Sequence, residues 1–205
     1  MEGSPDRDPA HPRARSRRGH LVLRVTPEDA LERVRSALGD LAVEPKLNFG
    51  AVDLTCTREN LVEVATKLRD NDELSCRFFS FLSGVDRTGF TVGEGDDAAT
   101  GELEVLIHLY SPVHVISVTL HVPVPVEDAN CPSITSVFSG AIWHERETWE
   151  MFGIAFQGHP NLVHLYLPED FEGTPLRKSF RLPSRMTKPW PGAKDPEEAA
   201  AGGGR

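Results

Sequence analysis

One short stretch of the chain concentrates side chains that could hold a metal ion. His144, Glu147 and Glu150 recur at every third residue, a type of spacing that ligands on a helix can use. At 100° per residue, however, the three drift around a helix instead of aligning, and no second helix carrying ligands is evident in the sequence. We interpret them as surface or interface charges, and a metal site remains the alternative.

Glu145 is the carboxylate whose surroundings should perturb it most. On a helical projection it falls within a stripe of four large apolar residues, Phe138, Ile142, Trp149 and Phe152. Desolvation there would raise the pKa of its carboxyl group and suit acid–base catalysis. A buried carboxylate is also costly unless it is paired. We therefore predict an ion pair between Glu145 and an arginine, within this chain or across an interface. A stand-alone enzyme that uses this group of carboxylates with His144 is the second hypothesis.

Two other patterns resemble binding motifs. Residues 93–98 fit the G-x-G-x-x-A spacing of a dinucleotide loop, but three carboxylates crowd the place of the pyrophosphate, which indicates an acidic loop. His108 and His121 fall on the polar faces of two predicted strands, and a metal pair would need a third ligand. We interpret His108 and His121 as solvated histidines. We predict that this chain binds no cofactor and no metal.

The segment after Gly153 has the composition of an extended arm. Gly153 is a natural helix end, and six prolines fall between residues 160 and 191. The segment also carries seven large apolar residues, Phe156, Leu162, Leu165, Tyr166, Leu167, Phe171 and Leu176. These side chains must be buried against the chain's own domain or against a partner protein. Residues 177–194 hold six basic and no acidic residues, which favours docking on a protein.

These two neighbouring regions resemble a known family, the C subunit of NADH-quinone oxidoreductase (respiratory complex I), also called the 30-kDa subunit family. The residues that carry the resemblance are Glu145, Arg146, Glu147, Glu150, Gly153, His159, Pro160, Asp170, Gly173, Pro175, Leu176, Arg177 and Lys178. The chain departs from the usual family residues near Val163 and His164, and at Thr174 and Ser179. A diverged paralogue, or the equivalent subunit of a membrane-bound hydrogenase or related dehydrogenase complex, therefore stays open.

The resemblance implies a non-catalytic structural subunit in the peripheral arm of a bacterial proton-translocating complex. Such a subunit is held on the cytoplasmic side of the cell membrane through its partners. The resemblance places FMN and the iron–sulfur clusters on other subunits of the complex. It implies contact with the D subunit above all, and also with the B and I subunits. It assigns no active site to this chain.

Composition sets broad limits on the class of protein. The 205 residues and a hydrophobic content of 39% suit one domain with extensions. A net charge of −9 argues against binding nucleic acid by bulk electrostatics. The three scattered cysteines, Cys56, Cys76 and Cys131, fit a reducing cytoplasm and give no cluster-binding spacing. No apolar run approaches the ~20 residues that cross a bilayer.

Hydrophobic periodicity predicts an α+β fold, with helices flanking an antiparallel sheet. Thr26 and Thr57 are predicted to cap the starts of two helices, and a short helix is predicted over residues 133–139. Strands are predicted over 46–56, 78–85, 103–109 and 116–122. The predicted organisation is a disordered tail over 1–20, an α+β domain over 21–153, an extended partner-docking arm over 154–190 and a disordered tail over 191–205.

Overall fold

The computed structural model describes residues 25–92 and 99–182. Three α-helices are present in these ranges: α1 (Pro27–Leu38), α2 (Leu61–Asp70) and α3 (Ala141–Phe152). The strands are β1 (Val43–Asn48), β2 (Ala51–Thr55), β3 (Phe78–Asp86), β4 (Thr91–Val92), β5 (Ala99–Thr100), β6 (Leu103–Ser111), β7 (Ile116–Val124), β8 (Asn130–Pro132) and β9 (Ala155–Gln157). The predicted tails over 1–20 and 191–205, and the acidic loop 93–98, lie outside the described residues. Within the described part, no helix is long and apolar enough to cross a membrane.

A five-stranded sheet with the order β1-β2-β7-β6-β3 forms the centre of the fold. The α+β class is confirmed, and three of the four strand pairs are antiparallel. The pair β2–β7 is parallel, so the sheet is mixed, not purely antiparallel as predicted. Residue alternation shows which face of a strand is buried but not the direction of the strand, and a parallel pair needs a crossover such as the one that contains α2.

The core lies between one face of this sheet and the helices. Strands β6 and β7 alternate as predicted, with Val105, Ile107 and Leu109 buried on the first and Val118, Leu120 and Val122 on the second. Helix α1 packs against β1, β2 and α2, and helix α3 packs against β3. The opposite face of the sheet carries polar side chains, which an antiparallel sheet with one solvated face allows.

Local signals located some elements better than others. Helix α1 starts as predicted, because the Thr26 side chain accepts a hydrogen bond of 3.2 Å from the Asp29 N–H. Helix α2 begins at Leu61, so Thr57 is not its cap. Residues 133–139 form a turn, not a helix, in which the Phe138 N–H bonds to the Ile134 carbonyl at 2.8 Å.

The end of the folded core differs from the predicted boundary at residue 153. Ile154 and Phe156 are buried in the core, and β9 pairs in parallel with β8. The segment after Gly153 was predicted to hold no sheet, but β8 supplies the partner that it needs. The core therefore continues through Gln157, and the described part of the arm is residues 158–182.

Candidate functional site

The side chain of Glu145, on helix α3, is completely buried, at 0% exposure. Its Oε1 accepts a hydrogen bond of 2.8 Å from the Ile134 N–H, in the turn just before the helix. Burial raises the pKa of the Glu145 carboxyl, and the Ser133 hydroxyl, the Ile134 N–H and the charge of His159 oppose that rise only in part.

The predicted burial of Glu145 is correct, and among the described residues its carboxyl group is bonded by a backbone N–H and not by the arginine that was predicted within this chain or across an interface. A backbone N–H supplies the main hydrogen bond, and Arg146, the nearest arginine in sequence, reaches to the arm instead. Within the described residues, Glu145 Oε2 and Thr148 Oγ1 are buried without a hydrogen-bond partner. Within the described residues, the carboxyl group is thus held by the Ile134 N–H and makes no ion pair with an arginine.

Two other residues of α3, Arg146 and Glu150, hold residues 163–167, which we name the clamped loop. Arg146 donates from Nε to the Val163 carbonyl at 2.8 Å and from Nη2 to the His164 carbonyl at 2.5 Å. The Glu150 carboxylate accepts from three consecutive backbone N–H groups, those of residues 165, 166 and 167, at 2.6–3.3 Å. One turn of helix therefore binds the backbone of five consecutive residues.

The Glu150 carboxylate is fully buried beneath the clamped loop, with its side chain at 0% exposure. Burial acts to raise its pKa, but the N–H groups of Tyr166, Leu167 and Leu165, with His164 Nδ1 at 3.2 Å, outweigh burial and lower the pKa. Glu150 is therefore an ionised anchor. The helical projection placed it outside the apolar stripe, and its burial was not predicted.

The C-terminal end of α3 is capped by residues 176 and 177, which we name the Arg177 motif. Gly153 ends the helix in the left-handed conformation, at φ 69°. Arg177 donates to the Phe152 carbonyl, and the Leu176 N–H bonds to the Met151 carbonyl at 3.1 Å. A guanidinium group at a helix C-terminus is favourable for the helix dipole. Arg177, one of the residues that carry the family resemblance, therefore caps its own helix in the structure.

Lys178 attaches the arm to the hairpin loop after β3. Its backbone N–H donates to Asp86 Oδ2 at 2.8 Å, and its ammonium lies 3.4 Å from the centroid of the Phe90 ring. Burial acts to raise the pKa of Asp86, but bonds from Thr88 and from the Lys178 N–H lower it. The arm thus contacts its own domain through backbone groups at several points.

The remaining residues of the predicted motif have structural positions. His159 donates from Nε2 to the Ile142 carbonyl at 3.0 Å, and the exposed Pro160 follows it. Asp170 is exposed, and Gly173 adopts φ 99° beneath the Phe180 ring. Pro175 is half-buried and begins the turn at Arg177.

The three residues weighed as metal ligands do not converge. His144 donates from Nδ1 to the Leu82 carbonyl at 3.1 Å, Glu147 is half-buried, and Glu150 holds the clamped loop. In the part of the chain that is described, no group of three or more metal-ligating side chains exists.

The polar face of the sheet carries a network that the sequence did not reveal. One residue from each strand, or from just after it, follows the strand order: Asn48, Asp53, His121, Glu104 and Arg87. His121 lies between the two carboxylates, so it is not the solvated histidine that was predicted, whereas the His108 ring stacks on Phe81. The network forms one wall of an open cavity of about 540 Å³. These residues come together only through strand register, which the sequence pattern does not specify.

Comparison with protein families gives this arrangement a context. The model of the respiratory-chain NADH dehydrogenase, 30 Kd subunit, matches residues 54–186. The chain belongs to this family. The matched range includes α3, the clamped loop and the Arg177 motif, and the predicted family is confirmed.

Curated relatives of this 30 Kd subunit family member are named as the C subunit of NADH-quinone oxidoreductase. The relative from Roseiflexus sp. (strain RS-1) is 40% identical over 152 residues, which cover 74% of this chain and 82% of the relative. The relative from Salinispora tropica is 36% identical over 154 residues, which cover 75% of this chain and 60% of the relative.

Two solved structures share the fold. Nqo5, as its trypsin-resistant fragment (1-134), matches with a TM-score of 0.52 at 24% identity, covering 66% of this chain and 98% of the fragment. A chain of the membrane-bound sulfane sulfur reductase, an archaeal respiratory membrane complex, matches with a TM-score of 0.56 at 17% identity, covering 76% of this chain and 85% of that one.

Proposed function

We propose that this chain is the C subunit of a proton-translocating NADH-quinone oxidoreductase and has a structural, non-catalytic role in the peripheral arm. The observation that carries the proposal is the family match over residues 54–186, together with relatives named as that subunit. The complex passes electrons from NADH through FMN and iron–sulfur clusters to quinone. In this proposal the cofactors belong to partner subunits.

The chain binds the cytoplasmic side of the cell membrane through its partners, the D subunit first and also the B and I subunits. The physical support for docking lies in the arm. Its segment 158–182 leaves the large apolar side chains of Val163, Tyr166, Phe171, Leu176 and Leu182 exposed, although its backbone is bound to α3 and to Asp86. Several large apolar side chains left exposed on one segment favour an interface.

The equivalent subunit of a membrane-bound hydrogenase or related dehydrogenase complex is the second candidate. The fold match to the archaeal sulfane sulfur reductase complex supports it, because it shows that the fold occurs outside NADH dehydrogenases. The two candidates differ in the partner chains that the protein should bind.

An affinity tag on the full chain tests the proposal in cells whose own gene has been deleted. We expect the tagged chain to restore NADH:quinone activity in membranes and to co-purify with the D subunit. A chain that ends at Gly158 should fold, as judged by circular dichroism, but should not co-purify. Hydrogenase subunits in the purified material, or no partner at all, would contradict the assignment. Full incorporation of the shortened chain would instead exclude the arm as the docking element.

A further inference from the structure

The clamped loop lies on α3 in a way that leaves two of its side chains, those of Val163 and Tyr166, exposed. Its backbone is bound at five consecutive residues by Arg146 and Glu150. No side chain of Val163 or Tyr166 takes part in these bonds, and the two are 46% and 63% exposed. The bonds therefore fix where these two side chains point without covering them.

The surface continues along α3 from the clamped loop to Trp143. The Trp143 side chain is 58% exposed, and the Arg146 guanidinium carbon lies 5.3 Å from the centroid of its ring. The same guanidinium bonds the carbonyls of Val163 and His164, so Trp143 and the loop form one contiguous patch. Tryptophan, tyrosine and arginine are the residues most enriched in the energetic centres of interfaces.

The charge of this patch indicates what should meet it. The Nε and Nη2 groups of Arg146 are used by the loop, and within the described residues Nη1 has no hydrogen-bond partner. The guanidinium therefore has donors left for a carboxylate, and it is flanked by large apolar groups. A complementary surface would present an apolar pocket with an Asp or Glu at its edge.

We propose that Arg146 and Glu150 position the clamped loop so that Trp143, Val163 and Tyr166 form a preorganised contact for a partner subunit that has an apolar pocket bordered by a carboxylate. This inference rests on the proposed function. It adds that Glu150 acts as a positioning residue from beneath the loop, without touching the partner. Preorganisation increases affinity because the loop loses little freedom on binding.

A competition in one cell measures the effect. Wild-type and variant chains carry different tags, are expressed at equal levels, and their ratio is measured in the purified assembly. We expect Tyr166→Ser and Trp143→Ser to be under-represented about tenfold or more, because each removes an exposed interface group and leaves the fold intact. The matched control is Phe49→Ser, which removes an aromatic ring that is 104% exposed at the β1–β2 turn and should enter at a ratio of one to one.

The positioning role of Glu150 has a separate readout. In Glu150→Gln one of the two acceptor oxygens becomes an NH2 group that cannot accept from the loop N–H groups, so hydrogen exchange at Leu165, Tyr166 and Leu167 should speed up about tenfold or more. The variant should also be under-represented in the assembly, and Glu150→Asp should recover part of both properties.

Three results would overturn the inference in different ways. Equal incorporation of Tyr166→Ser and Trp143→Ser, with wild type present, would exclude the patch and leave the proposed function standing. Faster exchange in Glu150→Gln with undiminished incorporation would exclude the positioning role. Absence of the wild-type chain from the assembly would remove the proposed function and this inference together.

Discussion

The buried carboxyl group of Glu145 makes a specific prediction about stability and pH. Glu145→Gln keeps an oxygen that accepts the Ile134 N–H and replaces Oε2, which has no partner among the described residues, with an uncharged amide. The side chain is 0% exposed, so water does not stabilise its ionised form, and in the part of the chain that is described no positive side chain is bonded to it. The variant resembles the protonated wild type in charge at every pH.

The sign of the effect follows from the raised pKa of Glu145. A carboxyl group with a folded-state pKa above its unfolded value of about 4.3 favours the folded state most when it is protonated. That contribution is complete below the unfolded pKa and is lost as the pH rises through the folded pKa. Leaving a buried polar oxygen unsatisfied costs about 1–3 kcal/mol. We expect Glu145→Gln to gain stability relative to wild type as the pH rises from about 4.3 through the folded pKa of Glu145, and to reach a gain of about that size above the folded pKa.

Urea unfolding of both full-length chains, followed by circular dichroism across that pH range, measures this difference. Taking the difference between variant and wild type removes the contribution of other titrating groups. Glu145→Ala serves as a control, because it loses the bond to Ile134 and leaves a cavity, and it should be destabilised even at the acid end. A difference between the glutamine variant and wild type that is constant with pH, or that falls as the pH rises, would refute this account and would favour the arginine pair predicted from the sequence.

Two further changes test packing and burial. Gly84→Ala should lower the free energy of unfolding by about 1–3 kcal/mol, because the new Cβ would lie 2.5 Å from Phe152 Cδ2. The control is Gly140→Ala, whose Cβ would meet Phe79 at 3.4 Å. In a urea titration the control should lower the free energy of unfolding much less. Equal costs would contradict the packing argument. The three cysteines are buried, and burial raises the pKa of each thiol to about 12; they are Cys56, Cys76 and Cys131. These thiols should therefore react with iodoacetamide at least about 100-fold more slowly in the folded chain than in urea. Rapid labelling of the folded chain would contradict their burial.

Features that depend on neighbouring residues could be predicted from the sequence. Helix α1 was located because its cap and first turn, Thr26 and Pro27, act within one turn of the chain. Strands β6 and β7 were located because their buried residues alternate. The burial of Glu145 followed from its position in an apolar stripe. Its hydrogen-bond partner did not, because Ile134 lies in a turn that the sequence pattern presented as helix.

Features that depend on distant residues were missed. The direction of β2 against β7 is decided by the crossover through α2 and β3, which the pattern of either strand does not contain. The network around His121 requires the register of five strands at once. Glu150 is buried by a loop that begins 13 residues later in the chain and that has neither helical nor strand periodicity. In each case the sequence contains the residues, but only the tertiary arrangement places them together.

The way in which α3 holds the clamped loop also explains how a proline-punctuated segment keeps one conformation. Backbone donors and acceptors must be satisfied when they leave water, and among the residues described here this loop pairs with no strand. Arg146 satisfies two carbonyls and Glu150 satisfies three N–H groups. Because these bonds involve peptide groups, they place no requirement on the side chains of Val163 and Tyr166. Those two side chains can therefore be substituted to suit a partner while the loop stays in place, and Glu150 holds this surface without forming part of it.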